Sequence, residues 1–247
     1  MDNLNQRLAG AISHFWRTRR EQEEAHKAGT ETTDRGRRQA VTGGAQMDGV
    51  IELMRDILID SGLPDDTVFH RRKVTVPGFY RPTKEWDLLA VVDGHLIASI
   101  EFKSQVGPSF GNNYNNRAEE ALGNAKDLWT AYEKGAFNDS PTPWLGYFML
   151  LEDASDSQKP VSVKEPHFPV LPEFKDASYA ERYELLCRKL VRERVYNAAC
   201  LVLSDREKGL DGHYSEPCKE VDFQHFVASL EGKATEHKHL YDRNQLD

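Results

Sequence analysis

The chain has 247 residues, 39% hydrophobic and 29% charged, with 40 acidic against 32 basic side chains and a formal charge of −8. This is ordinary for a globular protein that buries a core as one large α/β domain or two small ones. The acidic total excludes a protein that coats nucleic acid non-specifically, but not an enzyme with a local basic surface.

Leu4, Leu8, Ala11, Ile12, Phe15 and Trp16 recur at helical spacing. They predict an amphipathic helix beginning within residues 3–27, whose later part, Thr18 to Lys27, is a solvated extension. From Gly29 to Gly44 the chain is polar and carries Arg35, Arg37 and Arg38. It is either a mobile surface loop or an arm that contacts phosphate or a groove. Met47, Val50, Ile51, Met54, Ile57 and Leu58 mark a second helix ending near Gly62. On its wheel Asp48 flanks the apolar face and Glu52 lies nearly opposite, so Asp48 is the better acid to reach a neighbouring site, unless both are solvated.

Val74 to Val76 predicts a short strand broken by Pro77-Gly78. After the hairpin considered below, residues 105–117 are dense in carboxamides. They read as a loop, and equally suit contacts to base edges and phosphates. Ala118, Ala121, Leu122, Ala125, Leu128, Trp129 and Tyr132 outline a helix over residues 117–134, its aromatic stripe facing the core. Trp144 to Leu151 predicts a buried strand, and residues 154–173, with four prolines, a long irregular connection. A helix over Tyr179 to Tyr196, a strand over Ala198 to Leu203, a polar loop and a final helix over Val221 to Leu230 complete the chain. His237 and His239 fall in a charged tail.

No apolar run approaches the roughly 18–20 residues of a membrane span, and no signal-peptide core begins the chain. Cys187, Cys200 and Cys218 form no C-x-x-C pattern and no even framework, so a reducing cytoplasm is expected.

The run from Lys84 to Gln105 carries the chemistry. Two apolar stretches flank Asp93-Gly94 and predict a hairpin, with Asp87 in its first strand and Glu101 and Lys103 in its second. Charges on buried strands need partners, and a divalent cation between two carboxylates with a lysine beside them supplies one. This is the Asp…Glu-x-Lys arrangement of a metal-dependent phosphodiesterase. Glu101 and Lys103 share a face because they are two apart. A regular two-residue loop would pair Asp87 with Ile100 and send it to the opposite face, whereas a three-residue loop or a bulge returns it to Glu101. Mg²⁺ suits two carboxylates and the Phe102 carbonyl. The competing reading is a surface hairpin with solvated charges, which the apolar residues on both of its faces disfavour.

The runs 42–49, 81–89, 103–113, 115–121, 143–148 and 182–194 carry a wider resemblance. They include Arg-Pro-Thr-Lys-Glu-Trp-Asp-Leu-Leu and Lys-Ser-Gln-Val-Gly-Pro-Ser-Phe-Gly-Asn-Asn, and they resemble the XhoI family of type II restriction endonucleases across nearly the whole chain. The resemblance implies an α/β fold, a mixed central sheet flanked by helices with the restriction-endonuclease-like PD-(D/E)xK core. Residues 1–247 would form a single domain, with the N-terminal helix and the 154–173 loop as elaborations. It implies a homodimer that cuts double-stranded DNA at the palindrome CTCGAG with Mg²⁺, in a bacterial cytoplasm alongside a companion methyltransferase. Asp87, Glu101 and Lys103 match the motif, while Trp86 stands where its name has proline. A palindrome calls for a two-fold protein, and the pairings that geometry favours are arginine with guanine and asparagine with adenine. The corresponding candidates are Arg35, Arg37, Arg38, Asn112, Asn113, Asn115, Asn116 and Arg117. An inactive DNA-binding protein on the same fold, and a repair or structure-selective nuclease, are the alternatives.

Overall fold

The computed structural model describes residues 2–28 and 44–244. Its centre is a sheet ordered β1-β4-β5-β6-β7, formed by Val68–His70, Leu88–Val92, His95–Gln105, Trp144–Glu152 and Ala198–Ser204. β1, β4 and β5 run antiparallel, while β5, β6 and β7 run parallel. Parallel neighbours need crossovers, and helices supply them. α3 (Phe110–Glu133) lies between β5 and β6, and α4 (Tyr179–Arg192) between β6 and β7. With helices on both faces, the central strands have no solvent side, and all nine residues of β6 are buried.

Alternation along the strands divides the interior into two layers. Leu88, Ala90, Ile100, Phe148, Leu150 and Val202 pack with α1 (Asp2–Ala28), α2 (Asp48–Asp60) and α5 (Phe223–Asn244). Leu89, Leu145, Tyr147, Met149 and Leu201 pack instead with α3 and α4. In α1, the predicted stripe Leu8, Ala11, Ile12, Phe15 and Trp16 is the buried one, and Trp16 Nε1 donates to Ser204 Oγ over 2.9 Å. α2 ends at Asp60, near Gly62 as expected, and the φ of 102° at Gly62 suits glycine. α4 begins on a capping box, in which Ser178 Oγ accepts from the Glu181 amide and the Glu181 carboxylate accepts from the Ser178 amide.

A separate two-stranded ribbon, β2 (Thr75–Pro77) and β3 (Thr83–Glu85), leads into the hairpin. Its tip is fastened to α3 by Asp127. That buried carboxylate accepts from the Phe79 and Tyr80 amides over 2.8 and 2.7 Å and from Arg81 Nε over 2.7 Å.

Several expectations are corrected. Residues 105–117 are loop only over 106–109, because β5 ends at Gln105 and α3 already begins at Phe110. Asparagine is a poor helix former, but Phe110 stacks on Tyr179 of α4 and Tyr114, one turn on, meets Tyr183 edge to face, and this packing overrides propensity. The tail holding His237 and His239 is the continuation of α5, which runs to Asn244. Asp87 precedes β4 rather than lying inside it. The 154–173 connection is irregular as expected, apart from a helical turn at Ser155–Gln158 and the start of a 3-10 turn at Pro172–Phe174. β1 and β3 were not anticipated, being three residues each.

Candidate active site

The hairpin register decides whether the three charges meet. Its turn is a two-residue Asp93-Gly94 loop with φ of 50° and 80°, pairing Val92 with His95 and Val91 with Leu96. Continued regularly, this register would separate Asp87 from Glu101. It shifts between Ala90 and Val91, so that Ala90 pairs with Ala98, Leu89 with Ser99 and Leu88 with Ile100. Ile97 is the extra residue, and Ile97 and Ala98 consequently both enter the layer that holds α1 and α2. The next pair in this register is Asp87 with Glu101. A bulge rather than a three-residue loop therefore sets the parity, and Asp87, Glu101 and Lys103 share the face turned toward α3.

Glu101 is 1% exposed, and both its oxygens are engaged. Lys103 Nζ contacts Oε1, and Lys84 Nζ, from β3, contacts Oε2 over 2.9 Å. Lys103 also lies 3.7 Å from Glu120 of α3. Asp87 Oδ2 accepts from the Phe102 amide over 2.7 Å. In an extended strand the N–H and C=O of one residue point to the same edge, so the Phe102 carbonyl also faces the space where β4 has ended.

Burial, reinforced by the Glu101 carboxylate, pushes the Asp87 carboxyl up to about 6. Burial draws the Lys103 ammonium down, but the carboxylates of Glu101, Asp87 and Glu120 outweigh it and hold the group above its ordinary value. The site thus retains a fully charged lysine beside a carboxyl that is reluctant to ionise without a further cation.

These groups line a cavity of about 900 Å³ with Gln46, Asp48, Arg71, Trp86, Ser104 and Arg117. Asp48 is on its wall, held by Arg71 over 2.7 Å, while Glu52 is turned to His70 over 2.9 Å. Among the described residues no group of three or more His, Cys, Asp or Glu is placed to hold a metal ion. The expected third acid is therefore not gathered with Asp87 and Glu101, since the Arg71 guanidinium claims it. The remaining donors are two carboxylates and one carbonyl. That set fits Mg²⁺, a hard cation that takes few protein oxygens and keeps several waters. Among the described residues Trp86 Nε1 and Arg117 Nε are buried here without a hydrogen-bond partner, as expected of a wall that meets water or ligand.

The DNA candidates are divided by the structure. Arg35, Arg37 and Arg38 lie outside the described residues. Asn112, Asn113, Asn115, Asn116 and Arg117 occupy the first turns of α3. Only Arg117 of these lines the main cavity, where it pairs with Glu120 over 2.7 Å. Asn112 lines a second cleft with Ser109, Lys159 and Ser162. Sequence reasoning missed Lys84, Arg71 and Glu120. Lys84 and Trp86 stand beside Asp87 in the chain, yet only the ribbon's pairing, Val76 opposite Lys84, turns the lysine inward. Arg71 and Glu120 arrive through tertiary structure alone.

A five-stranded mixed sheet between helices, with two carboxylates and a lysine meeting on one of its faces, has the fold class of the restriction-endonuclease-like enzymes. The chain belongs to the XhoI restriction endonuclease family, which matches residues 25–216. It is 52% identical over 202 residues to a type II restriction enzyme, BstVI, of Geobacillus stearothermophilus, covering 80% of this chain and 90% of that one. It is 47% identical over 182 residues to the type II restriction enzyme XhoI of Xanthomonas vasicola, covering 73% and 72%. With AbrI of Azospirillum brasilense, another type II restriction enzyme, identity is 46% over 163 residues, covering 64% and 71%. No solved structure matches the chain. No helix among the described residues is long and apolar enough to cross a membrane.

Proposed function

We propose that this restriction endonuclease hydrolyses phosphodiester bonds in double-stranded DNA at CTCGAG, with Mg²⁺, leaving 5′-phosphate and 3′-hydroxyl ends. The observation that carries the reading is the meeting of Asp87, Glu101 and Lys103 on one face of the bulged hairpin, inside a cavity. Asp87, Glu101 and the Phe102 carbonyl would hold the cation. Bound there, it would supply positive charge to the scissile phosphate and lower the pKa of a water. Lys103, kept protonated by its acidic neighbours, orients the attacking water and stabilises charge on the pentavalent phosphorus. Glu101 and Glu120 fix where that ammonium sits. The buried Trp86 ring excludes bulk water and strengthens these interactions.

The enzyme acts as a homodimer, since a two-fold target is read by a two-fold protein. Asn112, Asn113, Asn115, Asn116 and Arg117 at the start of α3, and Arg35, Arg37 and Arg38, are the proposed DNA contacts. A companion methyltransferase protects the host in the bacterial cytoplasm.

The test is digestion of a plasmid of known sequence with and without Mg²⁺, followed by sequencing of the ends. Discrete staggered cuts at CTCGAG are expected, lost in Asp87→Ala and Lys103→Ala. Random degradation, nicking confined to flaps or mismatches, or full activity in either variant refutes the assignment.

A further inference from the structure

Lys84 belongs to no part of the Asp…Glu-x-Lys pattern, yet it makes one of the two closest contacts to Glu101. Its side chain is 15% exposed, and its Nζ is 2.9 Å from Glu101 Oε2 and 4.9 Å from the centre of the Trp86 ring. The two lysines on Glu101 are not equivalent. Lys103 is anchored on the same strand and has Glu120 as a second carboxylate. Lys84 reaches in from the ribbon, where it also contacts the Trp86 ring and the Glu85 carbonyl and acts electrostatically on Asp87.

Among the described residues, most of the acids facing this point are paired without a metal. Asp87 and Glu101 face Lys84 and Lys103, Asp48 is paired with Arg71 and Glu120 with Arg117, which leaves Glu85 on the cavity wall. A divalent cation entering this cavity meets two ammonium groups already on its carboxylates, and it finds the Oε2 of Glu101 occupied. One ammonium has to yield. Both lysines act on Asp87, but among the described residues Lys84 is the one with no second ion pair to retain it, and its flexible stem allows it to stay within the cavity when it moves.

We propose that Lys84 is the resident counter-ion of Glu101. It competes with the divalent cation for that carboxylate and, once displaced, turns to the scissile phosphate as a second catalytic cation. The inference rests on the metal-dependent phosphodiesterase reading above and adds a residue to it. Competition lowers apparent affinity by the fraction of time the carboxylate is free, so a lysine engaged nine-tenths of the time weakens metal binding about tenfold.

The experiment is calorimetric titration of Ca²⁺ into the full-length enzyme without DNA, for wild type, Lys84→Gln, Asp87→Asn and the remote control Lys126→Gln. Thermal melts first establish that each variant folds. Binding about tenfold tighter in Lys84→Gln, unchanged in Lys126→Gln and lost in Asp87→Asn, is the expected pattern. Because Lys84 leaves the face of an indole, Ca²⁺ should also shift tryptophan emission in wild type but not in Lys84→Gln or Trp86→Phe. Single-turnover cleavage at saturating Mg²⁺ should fall about a hundredfold in Lys84→Gln, the effect of removing one transition-state donor. Equal or weaker Ca²⁺ affinity in Lys84→Gln overturns the competition, and undiminished saturated cleavage overturns the phosphate role. Failure of wild type itself to bind Ca²⁺ would instead defeat the metal reading, and this inference with it.

Discussion

Replacing Asp87 by asparagine should stabilise the metal-free protein while abolishing cleavage. The Asp87 carboxyl is pushed from 3.8 to about 6, chiefly by burial and then by Glu101. Between these two values the unfolded chain has released its proton and the folded one has not. The folded state then binds more protons, so stability falls as pH rises through this window and stays reduced above it. A shift of about two units corresponds to about 3 kcal/mol lost at pH 8. Asparagine removes that penalty and keeps an oxygen for the Phe102 amide, now bonded at 2.7 Å to the carboxylate. The bond to the charged carboxylate is already included in that shift, so its exchange carries no separate cost. The gain is about 3 kcal/mol at pH 8, or about 6–12 °C in Tm for a chain of this size. It should shrink toward zero below about pH 3, where aspartic acid is neutral in both states. Melts of both proteins in EDTA from about pH 3 to about pH 8 measure the difference directly. A destabilised Asp87→Asn at pH 8, or a difference that does not change with pH, would refute the account of the site as a strained acidic pocket.

Two further substitutions test the supports of the site. Burial alone would raise the Asp127 carboxyl, but Arg81 and the Phe79 and Tyr80 amides together hold it below its usual range. Asp127→Ala should cost about 2 kcal/mol in denaturant melts and speed amide hydrogen exchange across residues 75–85; unchanged exchange there would show that the ribbon is not held by this contact. Ser178→Ala removes one half of the cap on α4 and should lower stability by about 1 kcal/mol without altering cleavage; a loss of cleavage with the fold intact would place Ser178 in the site itself.

Much of the architecture was legible because it rests on local patterns. The stripe of α1, the apolar run of β6 and the Asp-Gly turn each declare their element through spacing and turn chemistry. What escaped was decided at a distance. The start of α3 reads as loop because its asparagines lack helix propensity, and only Tyr179 and Tyr183, more than sixty positions on, supply the packing that makes it helix. The meeting of Asp87 and Glu101 could be narrowed to an odd loop or a bulge, but which of these occurs depends on how Ile97 and Ala98 fill the α1–α2 layer. Lys84, Arg71 and Glu120 gave no signal, since charged residues near a strand end or on a helix face are ordinarily solvated.

The bulge at Ile97 also limits how the gene can drift in length. A single codon gained or lost between Asp87 and Glu101 would rotate one carboxylate to the far side of the sheet and leave the fold's other strands undisturbed. Only paired changes, or a change matched by losing or acquiring a bulge, return both acids to the same side. The spacing of fourteen positions between Asp87 and Glu101 should accordingly vary among active relatives in steps of two, and homologues one residue longer or shorter there are where a compensating kink, or a dead enzyme, should be found.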